Sequence, residues 1–452
     1  MMRAMDRRHF LAGSLASIAT PALAATAPPR GLDAAQFGVR PGAPDDQSAK
    51  LQRAIDQAAR TRTPLWLAPG HYRAGDLKLP AGAQLIGVRG ATRLTLTHGP
   101  SLLSAAHADS VTLSGLELDG GGQPLPGGRA LLDLDDTSGL RIEDCAILHA
   151  GGTAVALRQC GGAVTGTAIS DAADTALFCN DSRGLILSTN TIHGSGNGGI
   201  RVWQGDKRDD GSLIVNNRID NTASRAGGDG QNGNAINVFR AGNVIVRGNV
   251  IRTAAFSAIR GNAAANIQIV GNNCVGLGEV AIYSEFGFEG AVIADNVVDG
   301  AALGVSVTNF NNGGRLASVH GNLVRNVGPR RPGTPPNGAG LGIGVEADTA
   351  VTGNVVENAT RAGISAGFGA YLRNVAITGN VVRNAATGIA VSVAPGAGDA
   401  AITGNLIAGA KRGAIVGMAW DKPETGDLAL EGGQTAAQRY PQLMIANNRV
   451  RQ

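Results

Sequence analysis

Carboxylates, guanidinium groups, a phenol and two large aromatic rings recur at equivalent places in one short phrase of the sequence. The phrase is a small residue followed by Ile or Val, with a second apolar residue two positions on. Aligning its copies puts Arg201, Asn237, Arg260, Tyr283, Ser306 and Gly344 in one column, and Trp203, Phe239, Asn262, Glu285, Thr308 and Glu346 in a second. Alternate residues of a strand share a face, so both columns are expected to point away from the core. Such a strip suits an extended glycan. Trp203 and Phe239 would offer ring faces to sugars, Arg201 and Arg260 would pair with uronate carboxylates, and Asn237 and Asn262 would complete the substrate-binding strip. Glu285 and Glu346 fall two rungs apart, about 9.5 Å between Cα atoms. That separation is compatible with inverting hydrolysis, which places an acid and a base roughly 6.5–9.5 Å apart. Elimination from a uronic acid would instead use Arg260 to neutralise the carboxylate and Tyr283 or a neighbouring basic group to take the C5 proton. Arg260, Tyr283, Glu285 and Glu346 are therefore the candidate catalytic residues, for a lyase, a hydrolase or an epimerase. A non-catalytic glycan-binding or cell-envelope structural role stands beside these, because exposed rungs also carry aromatic and charged ladders for solubility and packing.

The columns exist only if successive phrases stack. Each phrase closes on an asparagine: Asn217, Asn249, Asn272, Asn296, Asn322, Asn354, Asn380 and Asn405, separated by 32, 23, 24, 26, 32, 26 and 25 residues. A period of that length, built from short β segments and glycine turns, marks a stacked solenoid. Three strands and three turns fill one coil, so the fold expected is all-β, a single-stranded right-handed parallel β-helix. Stacked asparagines about 4.8 Å apart can hydrogen-bond to one another and to turn backbone, which assigns them to structure rather than catalysis. The same slot is occupied earlier by Leu116, Cys145, Thr167 and Asn190. Two long insertions, 220–234 and 326–340, enter just before the strip and are expected to wall a cleft around Arg260 and Glu285.

The totals agree with a narrow core. Glycine is abundant (67 residues) while aromatics make up 4% and charged residues 16% of a chain that is 43% hydrophobic. A solenoid core of Val, Ile, Ala and Asn has little room for rings. Outside the first 24 residues the charge balance is 36 basic to 34 acidic, and no Lys/Arg block with interleaved aromatics is present, which argues against a nucleic-acid partner. Cys145, Cys160, Cys179 and Cys274 show no CxxC spacing and read as buried thiols, Cys179 and Cys274 facing inward. The glycine motifs at 194–199 (GSGNGG) and 228–233 (GDGQNG) each precede a strand rather than a helix, so neither reads as a dinucleotide site. There is no HExxH, P-loop or serine elbow, and no metal site is expected. Asp206, Asp209 and Asp210 are a weak calcium candidate beside the plainer reading of a solvated loop. Glu289 and Asp348, placed in turns near the strip, rank below the named residues.

Three segments carry resemblances. Residues 1–24 contain Arg7-Arg8, Phe10-Leu11, an apolar run and a small-x-small site at Ala22–Ala24, and look like a twin-arginine export signal. This implies a folded, periplasmic or secreted product handed to the twin-arginine translocase, and a soluble monomer is expected. Residues 25–93 include an Asp45-Asp46-led helix with Leu51, Ile55 and Ala58 on one face, then the turn Pro69, Gly70, Tyr72. This part is similar to the N-terminal cap of the pectate-lyase-like β-helix superfamily, and would cover the open end of the first coil. The β-helix then occupies 94–452, with an excursion near 420–442 expected to leave the helix as a shielding loop. Phrases such as YSEFGFEGAV and GIGVEADTAVTGNV resemble an uncharacterised family of twin-arginine-translocated repeat proteins; the resemblance covers the whole chain and implies fold and export without an activity. The aspartate-pair pattern familiar from polygalacturonases is missing, which weakens the hydrolase reading.

Overall fold

The computed structural model describes residues 31–228, 230–308, 314–330, 339–430 and 433–451. The expected leader, 1–24, lies outside them. The described chain winds as a parallel β-solenoid whose coils contribute to three sheets of 16, 15 and 15 strands. One turn runs through Ile267–Val270, Asn273–Val275 and Val280–Glu285, and the next through Glu289–Ala294, Val297–Ala301 and Leu303–Thr308. Up to Ile415–Ala419, strands pair in parallel with their counterparts one coil away, for example Arg260 with Tyr283 and Asn262 with Glu285.

Alternation explains the filling of the coil. Inward positions carry Ile236, Ile259, Ile282, Val305 and Ile343 on one sheet, and Ile219, Ile251, Cys274, Val298 and Val324 on another, all at 1% exposure or less. Burying one such aliphatic side chain stabilises the fold by about 1.5–3 kcal/mol, and β-branched residues suit the pleat. The four cysteines are buried free thiols, and burial pushes Cys145 and Cys160 up to about 11 and Cys274 up to about 12.

The ladder of asparagines forms one corner of every coil from Asn190 onward. Asn272 is typical. Its backbone N–H and its Nδ2 both donate to Asn296 Oδ1, at 2.9 and 3.0 Å, and Nδ2 also donates to Val246 O at 3.0 Å. The Asn272 side chain thus satisfies one buried acceptor in the next coil and one in the preceding coil. The residue before each ladder position is left-handed: Gly248, Gly271, Gly321, Gly353, Gly379 and Gly404 have φ between 65° and 68°. Where glycine is absent, Asn216, Asp295 and Asn447 take its place at φ 56–57°, and Thr189 does so before Asn190 at 55°. Glycine, asparagine and aspartate are the residue types that tolerate that conformation, which accounts for the recurring Gly/Asp-Asn phrase.

Both ends differ in detail from the expectation. Helix α1, Ser48–Arg60, buries Leu51, Ala54, Ile55, Ala58 and Ala59. Its cap position is Gln47 rather than an aspartate, although Asp46 Oδ1 accepts the Ser48 N–H at 3.0 Å. The C-terminal excursion is not a loop. Lys422–Asp427 pairs antiparallel with Ile415–Ala419, and helix α2, Gly433–Arg439, follows it. Leu428 is fully buried and Ala436 nearly so, which is why this segment folds back instead of staying in solvent.

Candidate functional site

The two columns stack as consecutive partners on the third sheet. Arg201 pairs with Asn237, Asn237 with Arg260, Arg260 with Tyr283, and Tyr283 with Ser306. Trp203, Phe239, Asn262, Glu285 and Thr308 follow beside them in the same register. What the register leaves open is exposure, and here the sheet divides.

The upstream rungs are covered. The insertion expected to stand beside Arg260 instead lies over it. Asn237 Nδ2 donates to Gly230 O at 2.8 Å, and a side chain at Gly230 would meet the Arg260 guanidinium at 3.7 Å. Arg201 is 7% exposed and donates to Asn197 O and to Asn232 Oδ1, at 3.1 and 2.9 Å. Burial lowers its pKa. Trp203 donates its indole N–H to Asn237 Oδ1 at 2.9 Å, takes edge contacts from Phe178 and Phe239, and has the Arg201 guanidinium 5.3 Å from its ring centroid. Arg201 and Asn237 are thereby committed inside the protein, and the face of Trp203 nearest Arg201 is occupied. Arg201 and Asn237 are buried where the sequence suggested an exposed strip, while Trp203 is half-buried.

The same correction applies to Arg260 and Glu285. Arg260 Nε donates to Glu285 Oε1 at 2.6 Å, and Asn262 Nδ2 donates to that oxygen at 2.8 Å. The side chains are 10% and 1% exposed, so the pair is a buried salt bridge. Arg260 is neutralised from within and cannot also serve as the free counter-charge for a uronate. Glu285 has no surface through which a glycosidic oxygen could reach it. The turn that follows is tied down from three rungs upstream, where Lys207 Nζ donates to Gly287 O at 2.7 Å. Lys207 belongs to a strand, Gly198–Asp209, that runs on through the segment expected to be a loop. In that segment Asp210 accepts from Gln204 and Ser212 while Asp209 accepts from Asn243, so the carboxylates turn to separate partners. Among the described residues no group of three His, Cys, Asp or Glu side chains is arranged to hold a metal ion.

Downstream of Tyr283 the columns shrink to Ser306, Gly344, Ser365 and Ala390, and the floor drops into a trough. Its cavity measures about 450 Å³, within the range of small-molecule sites. Tyr283 and Phe286 stand at one end, Phe368 and Trp420 at the other, and Glu279, Glu346, Arg361, Arg412 and Asp421 lie along its sides. Of the residues singled out from the sequence, Tyr283 and Glu346 are the candidate catalytic groups that line it, with Ser306 and Thr308 below. Burial, and then the Glu285 charge, push the Tyr283 phenol up to about 12, against the Thr308 hydroxyl and Arg260, whose guanidinium lies 5.1 Å from the ring centroid. The phenol is therefore neutral at ordinary pH and acts as a hydrogen-bond donor rather than a resting base. Trp420, Asp421 and Arg361 were not found from the sequence. Trp420 and Asp421 lie in the excursion, outside the repeat that generated the columns. The second expected wall, 326–340, falls largely outside the described residues.

Residues 130–228 match the family described as "Right handed beta helix region". The described chain as a whole is an all-β parallel β-solenoid. The N-terminal fragment of bacteriophage phi29 gene product 12 is similar at 14% identity, over 86% of this chain and 68% of that one, with a TM-score of 0.55. The pre-mature phi29 gene product 12 gives 12% identity, 86% and 69% coverage, and a TM-score of 0.53. An exopolygalacturonase from Thermotoga maritima aligns at 12% identity over 94% and 92% of the two chains, with a TM-score of 0.40. Likeness at this level of identity establishes the fold alone. No curated protein matches the sequence.

Proposed function

We propose that this protein binds a saccharide in the trough between Tyr283 and Trp420, and that Glu346 and Tyr283 are the groups able to act on it. The observation that carries this reading is the cavity itself: aromatic residues at both ends, a floor of small residues, and ionisable groups along the sides. Sugars present apolar C–H faces and a rim of hydroxyls, so they are matched by stacking rings plus a few placed polar groups. Glu346 follows the strand Leu341–Val345 and is half-buried on the cavity wall, a position from which a carboxyl can exchange a proton with a bound sugar. The buried Arg260–Glu285 pair holds the Tyr283 ring from beneath and is assigned to positioning.

A second reading, a non-catalytic glycan-binding or envelope protein, is favoured by one observation. The carboxylate with the most suggestive sequence neighbours, Glu285, is closed off from solvent. The two readings separate in one experiment. The mature chain is incubated with a panel of bacterial and plant polysaccharides while tryptophan emission, new reducing ends and unsaturated uronates are followed. Turnover abolished in Glu346→Gln with binding kept supports catalysis. Binding without turnover in the wild type supports the second reading, and no binding to any glycan removes both.

The remaining assignments follow the same proposal. The apolar face of α1 is read as the cap on the first coil, and Arg7-Arg8 as the signal that sends the folded monomer through the twin-arginine translocase to the periplasm. Replacing both arginines with lysine should leave the protein in the cytoplasmic fraction.

A further inference from the structure

We infer that the trough is a dead end, so that it takes the terminus of a saccharide chain and not an internal stretch; this rests on the glycan reading above. The inference comes from the path of the C-terminal hairpin. After Ile415–Ala419 the chain turns at Trp420, whose φ is 57°, and returns as Lys422–Asp427 antiparallel to the same strand. Among the described residues this sheet therefore has no further parallel rung beyond this point.

The tip of that hairpin does not project away along the solenoid axis. It leans back over the strand Ala362–Ala366, two rungs upstream, roughly 10 Å at the usual interstrand spacing. There it touches both flanks of that strand. Asp421 Oδ1 accepts from Arg361 Nη2 at 2.9 Å, on the residue that leads into it. Trp420 packs edge-on against Phe368 and Tyr371 on the residues that leave it, with centroids 5.1 and 6.3 Å away. Two adjacent residues thus tie the hairpin tip to both flanks of the strand Ala362–Ala366. The contact is close enough to dictate sequence. Gly369 sits at φ 57°, and a Cβ there would come within 2.3 Å of the Trp420 ring.

The cavity runs from the floor at Tyr283 and Gly344 past Trp420 and Asp421 to Ala390, Ser392 and Met418, where Pro423 of the returning strand also lines it. The opposite end is stopped by Tyr283, whose ring is backed by Arg260. From Tyr283 to Ala390 is four rungs, roughly 19 Å, which bounds the occupant to a short oligosaccharide or the last units of a longer chain. Trp420 is 49% exposed, so the hairpin tip still has ring surface to offer the terminal unit.

The test uses an array of defined oligosaccharides, each printed twice, coupled through its reducing or its non-reducing terminus. The wild-type chain should bind one orientation at least about tenfold better than the other, and the preference should fall towards unity in the Trp420→Ala/Asp421→Ala double variant, which removes both anchors. Arg361→Gln, which loosens one anchor only, should give an intermediate ratio. Melting curves of the variants matching the wild type would show that the coil itself is intact. Equal wild-type binding in both orientations overturns the dead end while leaving the glycan site standing. Absence of binding to every printed glycan overturns both.

Discussion

The rungs from Arg201 to Glu285 and those from Tyr283 to Ala390 belong to one sheet, with the same register and the same outward direction, yet their side chains are used in opposite ways. Upstream, an insertion folds over the columns, and polar side chains are turned into an internal network: Asn232 to Arg201, Gly230 to Asn237, Arg260 to Glu285. Downstream, small residues keep the floor low, and among the described residues Trp420 and Asp421 lean back over it. A repeat fixes which residues are neighbours. Whether those neighbours become a site or a core depends on what the loops do above them.

The largest effect expected from this contrast lies in its upstream half. Glu285→Ala would leave the Arg260 guanidinium buried without its counter-charge, and breaking a buried pair this way costs about 3–5 kcal/mol. A fall in melting temperature, with a smaller fall in Glu285→Gln, is the expected result. If Glu285→Ala melted like the wild type and lost only glycan turnover, the upstream half would hold the chemistry and the division drawn here would fail.

Next in size is the ladder, which both halves share. Asn272→Ala removes the acceptor for Asn249 N and Nδ2 and leaves Val246 O without its donor. A buried polar group left unsatisfied costs about 1–3 kcal/mol, so denaturant unfolding should move clearly, while the same substitution at terminal Asn448, which is part-buried, should cost less. Equal losses at both positions would mean that the ladder's contribution does not depend on burial.

The ladder and the columns were legible in the sequence because both follow from local rules: alternation fixes the face, and the left-handed residue before each Asn fixes the corner. The two covers were not. That Gly230 comes up against Arg260, that Lys207 reaches Gly287 eighty residues on, and that Trp420 leans onto Gly369 are all contacts that involve non-repeating segments. No period points to them. One sign was readable, since a glycine of positive φ under a tryptophan leaves a glycine in the sequence, but nothing local says which ring it serves. The expectation of a cleft centred on Glu285 failed for this reason, while Tyr283, on the same strand, and Glu346, two rungs on, line the cavity.

A third effect tests where the two halves meet. Tyr283 is pushed up to about 12 by burial and by Glu285, from an ordinary value of 10. Between these values the unfolded chain has lost its phenolic proton while the native state keeps it, so the native state binds more protons and stability must fall as pH rises from about 10 to about 12. Tyr72 is raised to about 12 as well, by burial and then by Asp33, and contributes in the same window. Tyr283→Phe should therefore flatten part of the alkaline loss seen in stability curves, without altering stability near neutrality by more than about 1 kcal/mol. An unchanged alkaline slope would show that the phenol is solvated and that Glu285 does not govern it.

The smallest effect concerns the tie that keeps the halves distinct. The Lys207 ammonium is exposed and its bond to Gly287 O is a single charge-assisted hydrogen bond, so Lys207→Ala should shift stability by no more than about 1 kcal/mol. Its consequence for access should be larger than its consequence for stability. With the turn at Gly287 released, the Glu285 carboxyl, closed in the wild type, becomes reachable by a water-soluble carbodiimide, and mass spectrometry of the labelled peptide would report it. Labelling in the variant but not in the wild type would show that a contact of little energetic weight separates the covered rungs from the open ones. Equal protection in both would assign the closure of Glu285 to Arg260 and Asn262, which hold its carboxylate, with Lys207 contributing nothing to it.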